Sequence, residues 1–303
     1  KGSKIFMIQN GGGHFTPKVY NRDVFTREKI CDVFFHLGRE DIDDKTIGVG
    51  FERIFFHKKV KANPKGNIIL TLYPGSGYSS LLSTTKPSQD DWNEYLEDKI
   101  NFLKYLTPEI REKIIIRLKK RHSENDPNKD YFNFEGALRD KFPNIRFDNY
   151  KETLTNMIPS SSIVIVTHNA TTLLETLAKN APTLMLMDFN KYKLSEIAKD
   201  YYSKLSQVGI LHYTAKSASE KLIKIWKNPN EWWDSKDVQE VRQEFCDKYA
   251  YFPKNYEQFF LEKVSTKLHH WISMTYKSKK ILGLIGIRSG STGVKNKNIK
   301  KLG

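Results

Sequence analysis

Short runs of consecutive apolar residues alternate with amphipathic segments along most of this chain, the pattern of a sheet covered by helices on both faces. Lys4 to Gln9 reads as a strand running into Asn10-Gly11-Gly12-Gly13-His14. Val24 to Cys31 has helical spacing, Asp32 to Gly38 (DVFFHLG) reads as a short strand, and Lys45 to Val49 as another. Asn67 to Tyr73 (NIILTLY) is a strong strand, ended by Pro74-Gly75-Ser76-Gly77-Tyr78. From Asp90 to Tyr105, Trp92, Tyr95, Leu96, Ile100 and Leu103 recur at helical spacing. Ile114 to Leu118 is a buried strand emerging into Lys119-Lys120-Arg121-His122, and Ser123 to Asp130 is a turn-rich loop. Phe134 to Lys141 is helical, and Ile145 to Phe147 a short strand before Asp148.

The clearest unit comes next. Tyr150 to Ile158 predicts a helix, Ser162 to Val166 a fully buried strand, and Thr167-His168-Asn169-Ala170 a loop. Thr171 to Lys179 is a helix, Asn180-Ala181-Pro182 a turn, and Thr183 to Met187 the next strand. This β-α-β unit suits a parallel sheet. Helices then dominate: Ser195 to Val208, Ser217 to Lys227, Asp237 to Tyr249 and Tyr256 to Tyr276. Lys277-Ser278-Lys279-Lys280 reads as a linker.

Composition narrows the class. The 303 residues are 39% apolar and 13% aromatic, which excludes a disordered chain and leaves room for two lobes. Lys and Arg outnumber Asp and Glu by 50 to 35, a surplus of +15 that favours an anionic partner. No run approaches the ~18 apolar residues of a membrane span, and no signal peptide is visible. Cys31 and Cys246 form no spacing motif, so free thiols in a reducing cytoplasm are expected. The chain starts at Lys1 directly before a buried strand, and reads as an internal piece of a longer protein.

In open α/β sheets the pocket lies beyond the carboxyl ends of the strands. Thr171 and Thr172 stand where a helix begins, so N–H groups and two hydroxyls would meet a bound anion, and Glu175 one turn later could accept from sugar hydroxyls. Equally, Thr171 could be a plain cap and Glu175 a solvated helix residue. Arg117 leaves its strand near the carboxyl end, with Arg121 and His122 just beyond; a guanidinium there would stabilise charge on a departing phosphate. His168 and Asn169 lie in the same loop as the helix start, and His14 follows Gly11, Gly12 and Gly13, where it could act as a general base or serve local hydrogen bonds only. Trp232-Trp233 and His269-His270 read as packing or interface groups. The histidines and acidic pairs show no metal-ligand spacing, so no metal is expected for this part.

Two stretches carry family resemblances. The strand Ile281 to Ile287 feeds Arg288-Ser289-Gly290-Ser291-Thr292-Gly293, followed by Lys295, Lys297 and Asn298. This string resembles the opening motif of the cytidylyltransferases that activate sialic-acid-type sugars, with Thr292 in place of the usual lysine and Ile287 in place of alanine. The resemblance implies a CTP-binding loop at Arg288, Ser289, Gly290, Ser291, Lys297 and Asn298, with Mg2+ and sugar contacts expected only beyond Gly303.

From Gln9 to about Val264, IQNGGGHF, CDVFFHLG, VTHNATTLLETLAKNAPTLM, GILHYTAKSA and the Trp232-Trp233 pair resemble the C-terminal half of a bacterial family of surface-carbohydrate transferases. Asn10 stands where that family usually has histidine. The resemblance implies a GT-B-like α/β fold: a doubly wound parallel donor lobe, part of a second lobe and a C-terminal helical region. It places a remnant of the acceptor lobe at residues 1–66, the donor lobe at 67–276, and a linker with the start of a cytidylyltransferase at 277–303.

Together the two resemblances point to a glycosyltransferase of surface polysaccharide biosynthesis using a CMP-activated nonulosonic or related keto-sugar acid. Implied partners are that nucleotide-sugar and a glycan or lipid-linked acceptor, in the cytoplasm or at the inner membrane face. One alternative is cytidylyl transfer from CTP to an acidic sugar, carried wholly by the region after Lys279. Another is a basic module for acidic glycan or nucleic acid, although the charge is spread along the chain and no nucleic-acid reader motif is present.

Overall fold

The computed structural model describes residues 5–18, 29–51, 60–73, 92–118 and 133–274, with side chains as far as residue 266. Most of the Val24–Cys31 helix, the Pro74–Tyr78 turn, the Lys119–Asp130 segment and everything after residue 274 lie outside the described residues.

Two parallel sheets organise the chain. The smaller contains β1 (Phe6–Ile8), β2 (Val33–His36) and β3 (Thr46–Gly48) in sequential order. The larger contains β4 (Ile68–Leu72), β5 (Ile114–Leu118), β6 (Arg146–Phe147), β7 (Ile163–Val166), β8 (Thr183–Leu186) and β9 (Leu211–His212). Its spatial order is β6-β5-β4-β7-β8-β9, all parallel. The chain therefore winds outward from β4 to one edge, returns to β7, and winds to the other edge. The order reverses between β4 and β7, and it is beyond the carboxyl ends of strands at such a reversal that doubly wound sheets form a crevice for ligands.

Burial on both faces explains the unbroken apolar runs. Ile68, Leu70, Leu72, Ile116 and Ile165 face one side, packed with α1 (Trp92–Tyr105) and α7 (Ala215–Ile225). Ile69, Val164, Val166 and Met185 face the other, packed with α5 (Thr171–Ala178), α6 (Glu196–Gln207) and α9 (Lys236–Tyr249). Shorter helices α2 (Pro108–Lys113), α3 (Phe134–Lys141), α4 (Leu154–Met157) and α8 (Pro229–Trp233) fill the connections. α10 (Tyr256–Met274) returns to the smaller sheet, where Phe260 packs on Phe35 with ring centroids 6.0 Å apart.

The expected α/β class is the one adopted: a doubly wound parallel unit, a second, smaller parallel unit, and helices toward the C-terminus. One element differs from its sequence reading. Tyr150 to Ile158 is not a continuous helix; Tyr150 has φ 58° and donates its N–H to Asp148 Oδ1 (3.2 Å) in a turn. Thr153 then caps a single turn, α4, which passes into a 3-10 turn at Ile158–Ser160. Local side-chain hydrogen bonds from Asp, Asn and Thr competed here with helix extension.

Candidate functional site

Between the ends of β4 and β7, polar groups are tied into one chain of hydrogen bonds. Thr167 Oγ1 donates to Thr71 O (2.7 Å), so the Tyr95 hydroxyl 2.5 Å away donates to Thr167 and accepts from Tyr73 N–H (3.1 Å). Full burial pushes the Tyr95 phenol up to about 12, keeping it protonated for this role. The Tyr73 ring stacks on Trp92, with centroids 5.8 Å apart, and the His168 ring lies 6.0 Å from that of Tyr73. His168 is buried beside the crevice.

The smaller unit reaches this edge through residues 9–18. Gly12 N–H donates to Thr171 Oγ1 at 3.0 Å, at the first residue of α5. A Cβ on Gly12 would stand 2.5 Å from the Ala170 carbonyl carbon and 2.6 Å from Thr171 N, so only glycine permits this approach. Gly11 and Gly13 both have positive φ, 105° and 85°. Asn169 Nδ2 donates to Thr16 Oγ1 (3.1 Å) while its Oδ1 accepts from the Tyr202 hydroxyl (2.6 Å). Ser195 N–H donates to Thr16 O, and Pro17 bridges to Leu194. The glycine loop is thus stitched onto the loops after β7 and β8. Ala170 caps α5 and offers no side-chain acceptor.

The residues singled out in the sequence separate into three groups. Gly11, Gly12, Gly13, His14, His168, Asn169, Thr171 and Thr172 come together at the junction, and Thr171 and Thr172 remain partly exposed. His14 does not stand at an open cleft: it is 7% exposed and stacks on Phe34 at 5.8 Å. It lines a narrow internal cavity with Gln9, Tyr202 and Tyr249. Asn169 is fully buried and serves as a structural hub.

Arg117 and Glu175 form the second group, and both are turned inward. Arg117 pairs with Asp148, donates to Glu152 O (3.2 Å) and stacks over Tyr150 at 5.2 Å. Glu175 accepts from Thr155 Oγ1 and lies 3.6 Å from Lys179 Nζ. Both side chains are spent on the α4 segment, Arg117 at Glu152 O and Met157 Sδ and Glu175 at Thr155 Oγ1. The third group, Arg121, His122, Arg288, Ser289, Gly290, Ser291, Lys297 and Asn298, lies outside the described residues.

A second recess, of about 210 Å³, was not anticipated. It opens between the start of α1 and the loops after β8 and β9, and shares Thr167 with the crevice. Glu94, Asp98 and Lys99 line it from α1; Asp188, Lys191 and Tyr192 from beyond β8; Tyr213 and Thr214 from beyond β9. Lys99 is 3% exposed, bonded to Asp98 at 2.5 Å and held over the Tyr95 ring at 4.5 Å. Burial pushes its ammonium down, opposed by Asp98. The signal was present in the sequence: Lys99 falls on the apolar stripe set by Trp92, Tyr95 and Leu103, a place for a charge only if it is paired.

The profile of the LIC12162 family of transferases matches residues 1–264. The chain belongs to that family. No curated protein matches it at a significant level. Among solved structures, the wall teichoic acid polymerase TagF is 12% identical, with a TM-score of 0.41, covering 83% of this chain and 62% of its own. A Listeria monocytogenes protein described as a UDP-N-acetylglucosamine 2-epimerase is 12% identical, with a TM-score of 0.45, covering 86% and 64%. A UDP-forming trehalose-phosphate synthase from Burkholderia vietnamiensis is 13% identical, with a TM-score of 0.37, covering 67% and 45%. The chain therefore spans less than two thirds of the length of each of these structures. Among the described residues, no three His, Cys, Asp or Glu side chains are grouped to hold a metal ion, and no helix is long and apolar enough to cross a membrane.

Proposed function

We propose that this LIC12162-family chain is the nucleotide-binding part of a glycosyltransferase whose donor is a CMP-activated nonulosonic or related keto-sugar acid. The observation that carries this reading is the meeting of the glycine loop with the start of α5 at the carboxyl edge of the sheet. Ala170 leaves that helix start without a side-chain cap, and backbone N–H groups with the Thr171 and Thr172 hydroxyls supply donors for a phosphate. The sheet reversal puts the same edge at the crevice where nucleotides bind in doubly wound folds. The net charge of +15 suits a donor bearing both phosphate and carboxylate. The CMP preference rests on the cytidylyltransferase-like string from Arg288 to Asn298, since one protein that makes and uses a CMP-sugar joins two consecutive steps.

In this reading Thr171 and Thr172 bind the phosphate directly. Arg117 and Glu175 act one step back, by fixing α4 beside the site. The acceptor is a glycan or lipid-linked sugar in surface polysaccharide synthesis, with transfer at the cytoplasmic face of the membrane.

Thermal-shift titration with CMP, UDP and an oligonucleotide across salt tests the reading. A CMP shift that survives moderate salt supports it; a steeply salt-dependent oligonucleotide effect with no CMP shift replaces it with a basic binding module. The motif at Arg288–Asn298 also favours a second activity, cytidylyl transfer from CTP to an acidic sugar. CMP-sugar formation from CTP and an acidic sugar, with no glycosyl transfer, would favour that activity alone.

A further inference from the structure

We infer that the recess between α1 and the loops after β8 and β9 is a subsite for a neutral, hydroxyl-rich sugar ring, separate from the nucleotide site at α5. The inference deepens the proposed function and rests on its reading of the chain as a sugar-handling transferase. The recess holds about 210 Å³. That is below the ~300–1,000 Å³ of sites for drug-sized ligands and leaves room for a single ring.

Its lining is amphiprotic. Glu94, Asp98 and Asp188 offer acceptors, Lys99 and Lys191 offer donors, and the Tyr213 and Thr214 hydroxyls can do either. Vicinal hydroxyls, each donor and acceptor at once, match such alternation better than any single-charge ligand. The carboxylates outnumber the ammonium groups by one, three against two, so a phosphate or carboxylate is disfavoured here and favoured at α5. Tyr95, Tyr192 and Tyr213 add apolar surface for the ring's C–H face.

Two features show that the polar lining is built into the fold. Lys99 is a buried ammonium kept in place by Asp98 and the Tyr95 ring. Tyr95 in turn donates to Thr167 at the end of β7, so the wall of the recess and the nucleotide crevice share one hydrogen-bonded strut. At the mouth, Lys191 pairs with Glu94 across the gap from the β8 loop to α1. This pair is solvent-exposed, so exchanging it for ligand hydroxyls costs little.

Ligand-observed saturation-transfer NMR with galactose, N-acetylglucosamine and N-acetylneuraminic acid tests the inference. The neutral rings bind in the millimolar range, and N-acetylneuraminic acid binds at least ~10-fold more weakly. Asp188→Asn, which keeps the acceptor for Asn190 N–H, and Tyr213→Phe each weaken the neutral rings by roughly 5–10-fold. Circular dichroism on both variants checks folding. Tighter binding of the acidic sugar, or neutral-ring binding indifferent to both substitutions, overturns the inference. Displacement of the ring by a neutral oligosaccharide supports the inference and makes the subsite part of the acceptor site; displacement by a CMP-linked acidic sugar but not by CMP overturns it. CMP titrated alone into the unmodified protein reports on the nucleotide site. A CMP shift with no sugar binding therefore sinks this inference only, and sugar binding with no CMP shift sinks only the proposed nucleotide chemistry.

Discussion

Gly12 and Thr171 lie 159 residues apart in sequence, yet one hydrogen bond of 3.0 Å joins them where the two units meet. Because a Cβ at Gly12 would press on the Ala170 backbone, Gly12→Ala forces the units apart. We expect a loss of about 1–3 kcal/mol and a weakened CMP shift together. Thr171→Val removes the acceptor with little change of shape and costs about 1 kcal/mol. Chemical denaturation monitored beside CMP titration checks both; a neutral Gly12→Ala would contradict the packing.

Arg117 and Asp148 form a largely buried pair, with side chains 16% and 5% exposed. Removing one partner leaves the other uncompensated, so Arg117→Met should destabilise by ~3–5 kcal/mol. Arg117→Met together with Asp148→Leu should recover much of that. If Arg117 acted only on the donor phosphate, CMP affinity would collapse while stability held, and the double substitution would restore nothing.

Two histidines tie stability to pH. Gly38 N–H donates to His36 Nδ1 (3.1 Å), so Nε2–H donates to Glu40 O at 2.8 Å and the ring is neutral. Burial lowers its pKa to about 4, and burial lowers that of His212, 3.1 Å from Gly209 O, likewise to about 4. Between 6.5 and 4 the unfolded chain binds more protons than the folded one, so stability is intact above pH 6.5 and falls as pH drops through this window. The loss is on the order of 2–3 kcal/mol for each ring. Urea midpoints measured from about pH 7.5 to 4.5 should fall, and the fall should be shallower in His36→Gln. Equal slopes for the two proteins would exclude this origin.

Trp233 is 1% exposed and donates from Nε1 to Asn180 O (3.0 Å) at the end of α5. Trp233→Phe should cost about 1 kcal/mol for the lost bond, and Trp233→Ala ~3–5 kcal/mol for the cavity. Thermal melting separates the two.

The large sheet was legible because its strands are short apolar runs bounded by turn residues; Ile114–Leu118 matches its sequence reading residue for residue. β9, only Leu211–His212, was missed because two residues carry no periodicity. The helix start at Thr171 was legible from its local pattern; its meeting with the glycine loop was not, because Gly12 and Thr171 lie 159 residues apart. The inward turn of Arg117 and Glu175 was not, because their partners, Asp148 and Thr155, lie 31 and 20 residues away. His14 misled for the same reason: nothing beside it in sequence reveals Phe34 as its neighbour.

The chain passes between its two units more than once, and Phe51 on the outward passage donates its N–H to Tyr251 O on the homeward one (2.8 Å). Tyr251 N–H in turn donates to Leu37 O, and Arg39 N–H to Asp247 O, each at 2.8 Å. These bonds clasp the homeward passage both to the outward one at Phe51 and to the loop after β2 at Leu37 and Arg39. A cut on one side of this clasp alone would therefore leave the homeward strand of chain held by the remaining bonds.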